Sequence, residues 1–244
     1  MIVVEIGSIP IQLHRKAITN LHISVLPPDG EVRVSAPEQL TDTAIRMAVI
    51  SRIPWIKKQQ ALFAKQLRQS DRQMVSGECH YLWGKRYRLN VIERAGKHEI
   101  ELGHDQLHLY VNAATTTENR AWALHGFYRD ALKSRIHRLV PYWQTRVGVM
   151  ASSWGVKKMK TKWGSANIEA KRIWFNLELA KKPPECLEYI VVHELVHLLE
   201  RKHNARFQSH MDRFLPDWRE RKDLLNQMPL AHNHWHAQSE CKAF

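Results

Sequence analysis

The feature that most constrains this chain is a His-Glu-x-x-His pattern inside an apolar segment of the sequence. His193 and His197 are four residues apart, so an α-helix would place both imidazoles on one face, within reach of one metal ion. Glu194 would lie about 100° around the helix from His193, beside the metal rather than bound to it. Pro183 and Pro184 favour the start of such a helix. Because two histidines and a glutamate in a buried helix need polar partners, the pattern indicates a metal site.

The same three residues predict the chemistry of a metal-dependent hydrolase. Imidazole ligands suit Zn²⁺, and bound zinc lowers the pKa of a coordinated water to about 7. The carboxylate of Glu194 can accept a proton from that water, so we expect Glu194 to be the general base. The predicted cofactor is therefore Zn²⁺. Because His-Glu-x-x-His on a helix is typical of metalloproteases, the predicted substrate is a protein or peptide.

A third metal ligand must come from beyond the pattern. His203 follows His197 by six residues, and on a continuous helix it would lie about 240° around and ~9 Å along from His197. If the helix ends before His203, the chain can turn and bring this imidazole back to the metal, and Asn204 tolerates the backbone conformation of such a turn. We predict His203 as the third ligand, with Glu200 and His210 as alternatives.

The charge of the chain leaves two other functions open. Lys and Arg number 37 against 24 Asp and Glu, which gives a net charge of +13 and favours association with polyanions such as nucleic acid. The chain could therefore be a basic nucleic-acid-associated module with a structural metal, which would usually have four protein ligands. It could also be a metal-dependent hydrolase of a non-peptide bond, since the water-activating residues would be the same.

The hydrophobic patterning predicts an α+β fold with a β-rich N-terminal part. Alternation predicts strands at 2–6, 9–14, 20–26, 31–36, 81–92 and 99–111, the last two with turns at Gly84-Lys85 and Gly103-His104. Helical spacing predicts helices near 38–67, 117–147, 184–202 and 204–227. Pro54 and Pro141 should kink or break their helices, and a hairpin should turn at Gly164-Ser165-Ala166-Asn167. We expect a β-rich part with one helix at 1–112, a metal-binding domain at 113–230, and a polar His-rich tail at 231–244. No repeat of fixed period is visible.

The cysteines and the N-terminus indicate a cellular location. Cys79, Cys186 and Cys241 have no paired spacing, which favours a reducing compartment. The apolar N-terminus is interrupted by Glu5 and is a poor secretory signal. No segment approaches the ~20 apolar residues that cross a membrane, so we expect a cytoplasmic protein with no membrane partner.

Several segments of the sequence resemble the YgjP-like metallopeptidases, which are relatives of the SprT, Spartan and WLM groups. These segments are Lys162-Trp163-Gly164-Ser165, Phe175-Asn176-Leu177, Pro184 through Leu199, His203-Asn204-Ala205-Arg206-Phe207 and Pro216-Asp217-Trp218. Together they cover roughly residues 155–227. The first part of the chain resembles the family only loosely.

The resemblance implies a zincin-like metallopeptidase domain built around the HExxH helix. The family's zinc ligands and its general base correspond here to His193, His197, His203 and Glu194. In zincin-like peptidases a strand beside the metal pairs with the substrate backbone, and the segment 162–165 or 172–176 could be that strand. Kinship to peptidases that act on DNA-bound proteins suggests nucleic-acid-associated substrates. The sequence departs from the family at Ala166, where Cys is usual, and at Gln208, where an aromatic residue is common; neither is a predicted ligand.

Overall fold

The structure, a computed structural model, describes residues 2–26, 30–65, 73–159 and 162–227. Within these ranges the chain has an α+β fold, which confirms the predicted fold class. It forms two compact units, the first containing the elements up to residue 65 and the second the elements from residue 79 onward. Among the described helices, none is long and apolar enough to cross a bilayer. The predicted tail at 231–244 lies outside the described residues.

The first unit is a four-stranded sheet followed by a long helix. Its elements are β1 (Ile2–Ile6), β2 (Ile9–Lys16), β3 (His22–Leu26), β4 (Glu31–Pro37) and α1 (Asp42–Lys65). The strand order is β1-β2-β4-β3, with β2 and β4 parallel and the outer pairs antiparallel. The alternating apolar residues of β2 and β4 share a core with α1, in which Val34 and Val49 are fully buried.

The second unit begins with a sheet and helix of the same topology. Its elements are β5 (Cys79–Leu82), β6 (Lys85–Glu93), β7 (Glu99–Leu102), β8 (Gln106–Val111) and α2 (Thr117–Val147). The order is β5-β6-β8-β7, again with the central strands parallel. The first hairpin of each sheet turns through two residues of positive φ, Gly7-Ser8 and Trp83-Gly84, as a type I′ turn requires. The module therefore occurs twice without a sequence repeat, because alternation and turn geometry specify it.

The rest of the second unit is a small sheet and a set of helices. The elements are β9 (Ser153–Lys157), β10 (Gly164–Asn167), β11 (Arg172–Asn176), a 3₁₀ helix (Leu177–Lys181), α3 (Pro184–Val196), α4 (Ala205–Phe214) and α5 (Trp218–Gln227). The strand order is β10-β11-β9, with β11 antiparallel to β10 and parallel to β9. Within the described residues, β10 is therefore an edge strand.

One hydrophobic core unites the second unit. It contains Leu107 and Leu109 of β8, Leu132 and Ile136 of α2, and Val191 of α3, all fully buried. The boundary expected near residue 113 would divide this core, so the structural division before β5 differs from the prediction. The two four-stranded sheets alternate alike in sequence, and alternation alone does not say which helix each sheet packs against.

The hairpin before α3 exists, but its turn is displaced. The segment Gly164–Asn167, expected as the turn, is strand β10, and the turn follows it. There the Asn167 Oδ1 accepts a hydrogen bond from the Ala170 N–H at 2.9 Å, and Lys171 has a φ of 48°. Local turn propensity was therefore misleading, because the glycine at 164 allows close packing against Glu194, a residue distant in the sequence.

The helix boundaries also depart from the predictions. Pro54 and Pro141 lie inside continuous helices, and past Pro141 the helix α2 still buries Trp143 in the core. The helix α3 ends at Val196, earlier than expected. The predicted helix at 204–227 is two helices, because a proline at 216 disfavours helical backbone in the residue before it.

Candidate metal centre

Three imidazoles converge where α3 ends. The His193 Nε2 lies 3.2 Å from the Nε2 of His197 and 3.0 Å from the Nε2 of His203. Nitrogen ligands of one tetrahedral zinc, each about 2.0–2.1 Å from the metal, would lie roughly 3.3 Å apart. Among the described residues, these three form the one cluster of His, Cys, Asp or Glu side chains able to hold a metal ion. The donor set and its spacing therefore fit zinc.

The tautomers and charges of the histidines suit a ligand role. The Nδ1–H of His197 donates to the Glu200 carbonyl oxygen at 3.1 Å, which leaves the Nε2 lone pair free. Burial, followed by the charges of the other two histidines, lowers the pKa of His193 to about 3. Burial also lowers the pKa of His197. Both imidazoles are therefore neutral at pH 7, as metal ligation requires.

A tight turn and a helix cap return His203 to the cluster. After α3 the Lys202 N–H donates to the Glu200 carboxylate at 3.1 Å. Asn204 is the N-cap of α4, with extended backbone, and its Oδ1 accepts from the Phe207 N–H at 3.0 Å. Asn204 is therefore a helix cap in extended conformation, and the His203 imidazole lies beside that of His193. Phe207 is buried, and its ring centroid lies 4.8–5.0 Å from those of all three histidines.

The alternative ligands do not join the cluster. The Glu200 side chain is engaged in the turn, and its main-chain carbonyl holds His197. His210 stacks on Phe214, with ring centroids 6.1 Å apart, and lies outside the group of three. The geometry thus favours His203 over both alternatives.

Glu194 is buried beside the histidines under the strand β10. Its side chain is 5% exposed, and a Cβ on Gly164 would lie 2.7 Å from the Glu194 Cγ and 2.8 Å from its Cδ. The Ala166 N–H donates to the carboxylate. Burial raises the pKa of Glu194 to about 8, against the opposing effects of the Lys162 charge and the Ala166 hydrogen bond. The family's usual Cys is absent at 166, but the contact uses main-chain atoms and does not need it.

The free edge of β10 faces away from β11 toward the cleft. The Asn176 N–H donates to the Trp163 carbonyl at 2.9 Å, and hydrogen-bonded pairs alternate along antiparallel strands. The main-chain groups of Gly164 and Ala166 therefore point to the unpaired edge, which agrees with the bond from Ala166 to Glu194. This edge is able to accept another extended chain.

Asn176 is a buried residue that holds the segment before β10, a function that sequence reasoning did not predict. Its Nδ2 donates to the carbonyl oxygens of Met159 and Lys162 at 3.0 and 2.7 Å. Its Oδ1 accepts from the main-chain N–H groups of Met159 and Glu178 at 3.3 and 3.2 Å. The Asn176 side chain thus holds both Met159 and Lys162, which precede β10, the strand that contacts Glu194. A lone Asn after a strand has no distinctive sequence signal.

The histidines and Glu194 open onto a cleft of about 1300 Å³. Part of its wall is apolar and comes from α3, the turn after it, α4 and α5, with the residues Tyr189, Ile190, Leu198, Phe207, Trp218 and Leu225. Tyr189 stacks on Trp218, with ring centroids 6.4 Å apart, and meets the His193 ring edge-on at 5.6 Å. Burial, and secondarily the Glu194 charge, raises the pKa of Tyr189 to about 12. The cleft is large enough for several residues of an extended peptide.

Comparisons with known proteins give distant structural neighbours. No curated protein shows significant sequence similarity to the chain. The crystal structure of the metallopeptidase zymogen of Pyrococcus abyssi abylysin is 17% identical, covers 39% of this chain and 98% of its own, and has a TM-score of 0.36. The metallopeptidase zymogen of Methanocaldococcus jannaschii jannalysin is 22% identical, covers 38% of this chain and 94% of its own, and has a TM-score of 0.34. Both are too distant to support an argument about function.

A family model decides the relationship. The YgjP-like metallopeptidase domain matches residues 20–228, which include most of the first unit, the whole described second unit and every residue of the metal centre. The matched region is far more than half of the chain, and it extends well before the segments in which the resemblance is visible by eye. The chain therefore belongs to the YgjP-like metallopeptidase family, and it is a metal-dependent peptidase.

Proposed function

We propose that the chain is a zinc-dependent peptidase in which His193, His197 and His203 bind the metal and Glu194 is the general base. The observation that carries this proposal is the approach of the His197 and His203 Nε2 atoms to 3.2 and 3.0 Å from the His193 Nε2. A carboxylate is buried beside them. The structural-metal alternative is less well supported, because the described residues offer no fourth His, Cys, Asp or Glu ligand to this group.

The proposed chemistry divides between the metal and Glu194. When bound, zinc would polarise the scissile carbonyl and acidify a water. Glu194 takes a proton from the attacking water on its carboxylate and then donates it to the leaving amine nitrogen. Burial raises the pKa of this group to about 8, and a nearby dication would lower it toward neutral pH. A pKa close to the working pH lets one carboxyl both accept and return the proton.

The free edge of β10 supports an extended peptide as substrate. Gly164 and Ala166 present their carbonyl oxygens on this edge, and a peptide added as a further strand would donate its N–H groups to them. Main-chain pairing gives affinity for a peptide with little dependence on its side chains. A hydrolase of non-peptide bonds would not need an open strand edge. This arrangement favours peptide hydrolysis over the non-peptide alternative.

The test is metal content measured by elemental analysis, together with peptidase activity. We expect about one zinc per chain in the wild type, little in His193→Ala and His203→Ala, and wild-type content in Glu194→Gln. Because general-base catalysis is worth roughly 10²–10⁴-fold, Glu194→Gln should lose casein cleavage by about that factor while keeping zinc. A wild type that neither contains nor can be loaded with zinc would remove the proposal.

The net charge of +13 supports a further proposal: the chain binds nucleic acid and cleaves proteins that are associated with it. Neutralised phosphates release counterions, so binding to duplex DNA should weaken steeply with salt. Fluorescence anisotropy with labelled DNA at several salt concentrations measures this. Absent or salt-insensitive binding would rule it out.

A further inference from the structure

Three cations line the catalytic cleft without an ion-pair partner. They are Lys162, Arg201 and Lys222, and within the described part of the chain none has a carboxylate within ion-pair distance. Two neighbours on α5 behave differently: Arg219 pairs with Asp212, and Arg221 pairs with Glu188 and Asp217. The basic side chains of α5 that point elsewhere are thus neutralised by the fold, and the one that faces the cleft is not.

The cleft has little negative charge to offset these cations. Among its described lining residues, the carboxylates are Glu169 and the buried Glu194. The Glu194 carboxylate accepts a hydrogen bond from the Ala166 N–H and packs against the main chain of Gly164, so it is held by β10. Only Glu169 therefore remains to balance three exposed positive charges.

The cations come from three different segments that line the cleft with the metal centre. Lys162 precedes β10, and its charge acts on Glu194. Lys222 lies on α5 over the Trp218 ring, 5.7 Å from the centroid, and its charge acts on His193. Arg201 lies in the turn between α3 and α4. A peptide extended along β10 through this cleft would therefore pass cations that come from three separate segments of the chain.

We propose that this cleft selects peptides with acidic side chains close to the scissile bond. The inference rests on the proposed peptidase function and names its substrate class. Solvent-exposed ion pairs are worth little individually, so each acidic residue should raise kcat/KM roughly two- to fivefold. The preference should weaken as ionic strength rises, because exposed charges are screened.

The experiment compares three fluorogenic peptides that differ only in carrying Glu, Gln or Lys at the positions flanking the cleaved bond. Cleavage is measured with zinc-loaded wild type. Binding is measured by fluorescence anisotropy with the Glu194→Gln variant, so that the binding measurement does not depend on turnover. The variants are Arg201→Glu and Lys222→Glu. The matched control is Arg206→Glu, since Arg206 is exposed on α4, does not line the cleft and changes net charge equally.

We expect cleavage and binding to rank Glu above Gln above Lys, with the ranking reduced or reversed in Arg201→Glu and Lys222→Glu and unchanged in Arg206→Glu. Equal binding of the three peptides, or an equal shift in the control, would overturn the preference. Absence of all cleavage with a retained binding order would count against the peptidase function and not against the acidic preference. Displacement of the acidic peptide by a DNA oligonucleotide at lower concentration than by free acidic peptide would reassign the cations to nucleic acid and overturn the proposal.

Discussion

At Gly164 a strand passes so close to Glu194 that no side chain fits between them. A Cβ at this position would overlap the carboxyl group, although the glycine is in β10 and has no need of a positive φ. Its role is therefore close approach rather than conformational freedom. The same approach lets the Ala166 N–H reach the carboxylate, so one glycine sets the position of the proposed base.

Gly164→Ala should displace Glu194 or β10 and leave the three proposed metal ligands in place. Misplacement of a catalytic group by about 1 Å can cost roughly 10²-fold, so we expect that loss in kcat with zinc content retained. Steady-state kinetics and elemental analysis measure the two. Gly126→Ala is the control, since a Cβ there meets nothing within 4 Å. Full activity in Gly164→Ala would show that the contact does not position the base.

Asn176→Asp should destabilise the segment before β10. The carboxylate keeps an acceptor for the Met159 and Glu178 N–H groups but cannot donate to the carbonyls of Met159 and Lys162. Each carbonyl left without a donor costs roughly 1–3 kcal/mol. Urea denaturation should show a lower free energy of unfolding. Asn167→Asp is the control, because its Oδ1 accepts only from the Ala170 N–H and the acceptor survives; an equal loss in both variants would contradict the prediction.

Among the elements, the turn from α3 to α4 decides whether His203 belongs to the site. The helix α3 ends at Val196, with His197 as its C-cap, and the next helix begins at Ala205 under an Asn204 cap. The intervening residues reverse the chain, and the Phe207 ring of α4 closes against all three imidazoles. The proposed third ligand, His203, is thus positioned by a helix cap and an aromatic contact.

Asn204→Ala should weaken zinc binding through the loss of this cap. Removal of an Asn cap costs about 1 kcal/mol, which corresponds to roughly fivefold in metal affinity if the order of this turn is coupled to binding. Competition with a chromophoric chelator measures the affinity. Asn204→Asp should retain it. Thr116→Ala removes the analogous cap of α2, where the Thr116 side chain accepts from the Asn119 N–H, and should lower stability without changing zinc affinity.

For the whole molecule, the sequence predicts what local spacing determines and misses what distant contacts determine. The pair His193 and His197 follows from helical periodicity, and the strands follow from alternation. The expected turn at 164–167 is wrong because Gly164 is needed for close packing against Glu194, thirty positions away in the chain, and not for a turn. Asn176 is noticed in the sequence only within the Phe175-Asn176-Leu177 resemblance, and its anchoring contacts are not predicted because its partners are main-chain atoms. The division of the chain into units likewise depends on which helix covers which sheet.

The stability of the second unit should fall on mild acidification because of a partly buried histidine, His125, outside the metal centre. Burial, followed by the charges of Lys158 and Lys181, lowers the pKa of His125 to about 4, whereas an unfolded histidine titrates near about 6.5. Between these values the unfolded chain binds the extra proton. The contribution of His125 is therefore fully present above pH ~6.5 and is lost as the pH falls toward ~4.

His125→Gln should flatten the dependence of stability on pH across this window. A neutral amide binds no proton in either state, so the variant should lose less unfolding free energy than wild type between pH 7.5 and pH 5. Urea denaturation at several pH values, with chelator present throughout, measures the difference, and the metal-centre histidines are common to both proteins and cancel. His137→Gln, on the exposed face of the same helix, is the matched control. If wild type and His125→Gln gave parallel pH profiles, a folded His125 would be as easily protonated as an unfolded one, and its burial would have no consequence for acid stability.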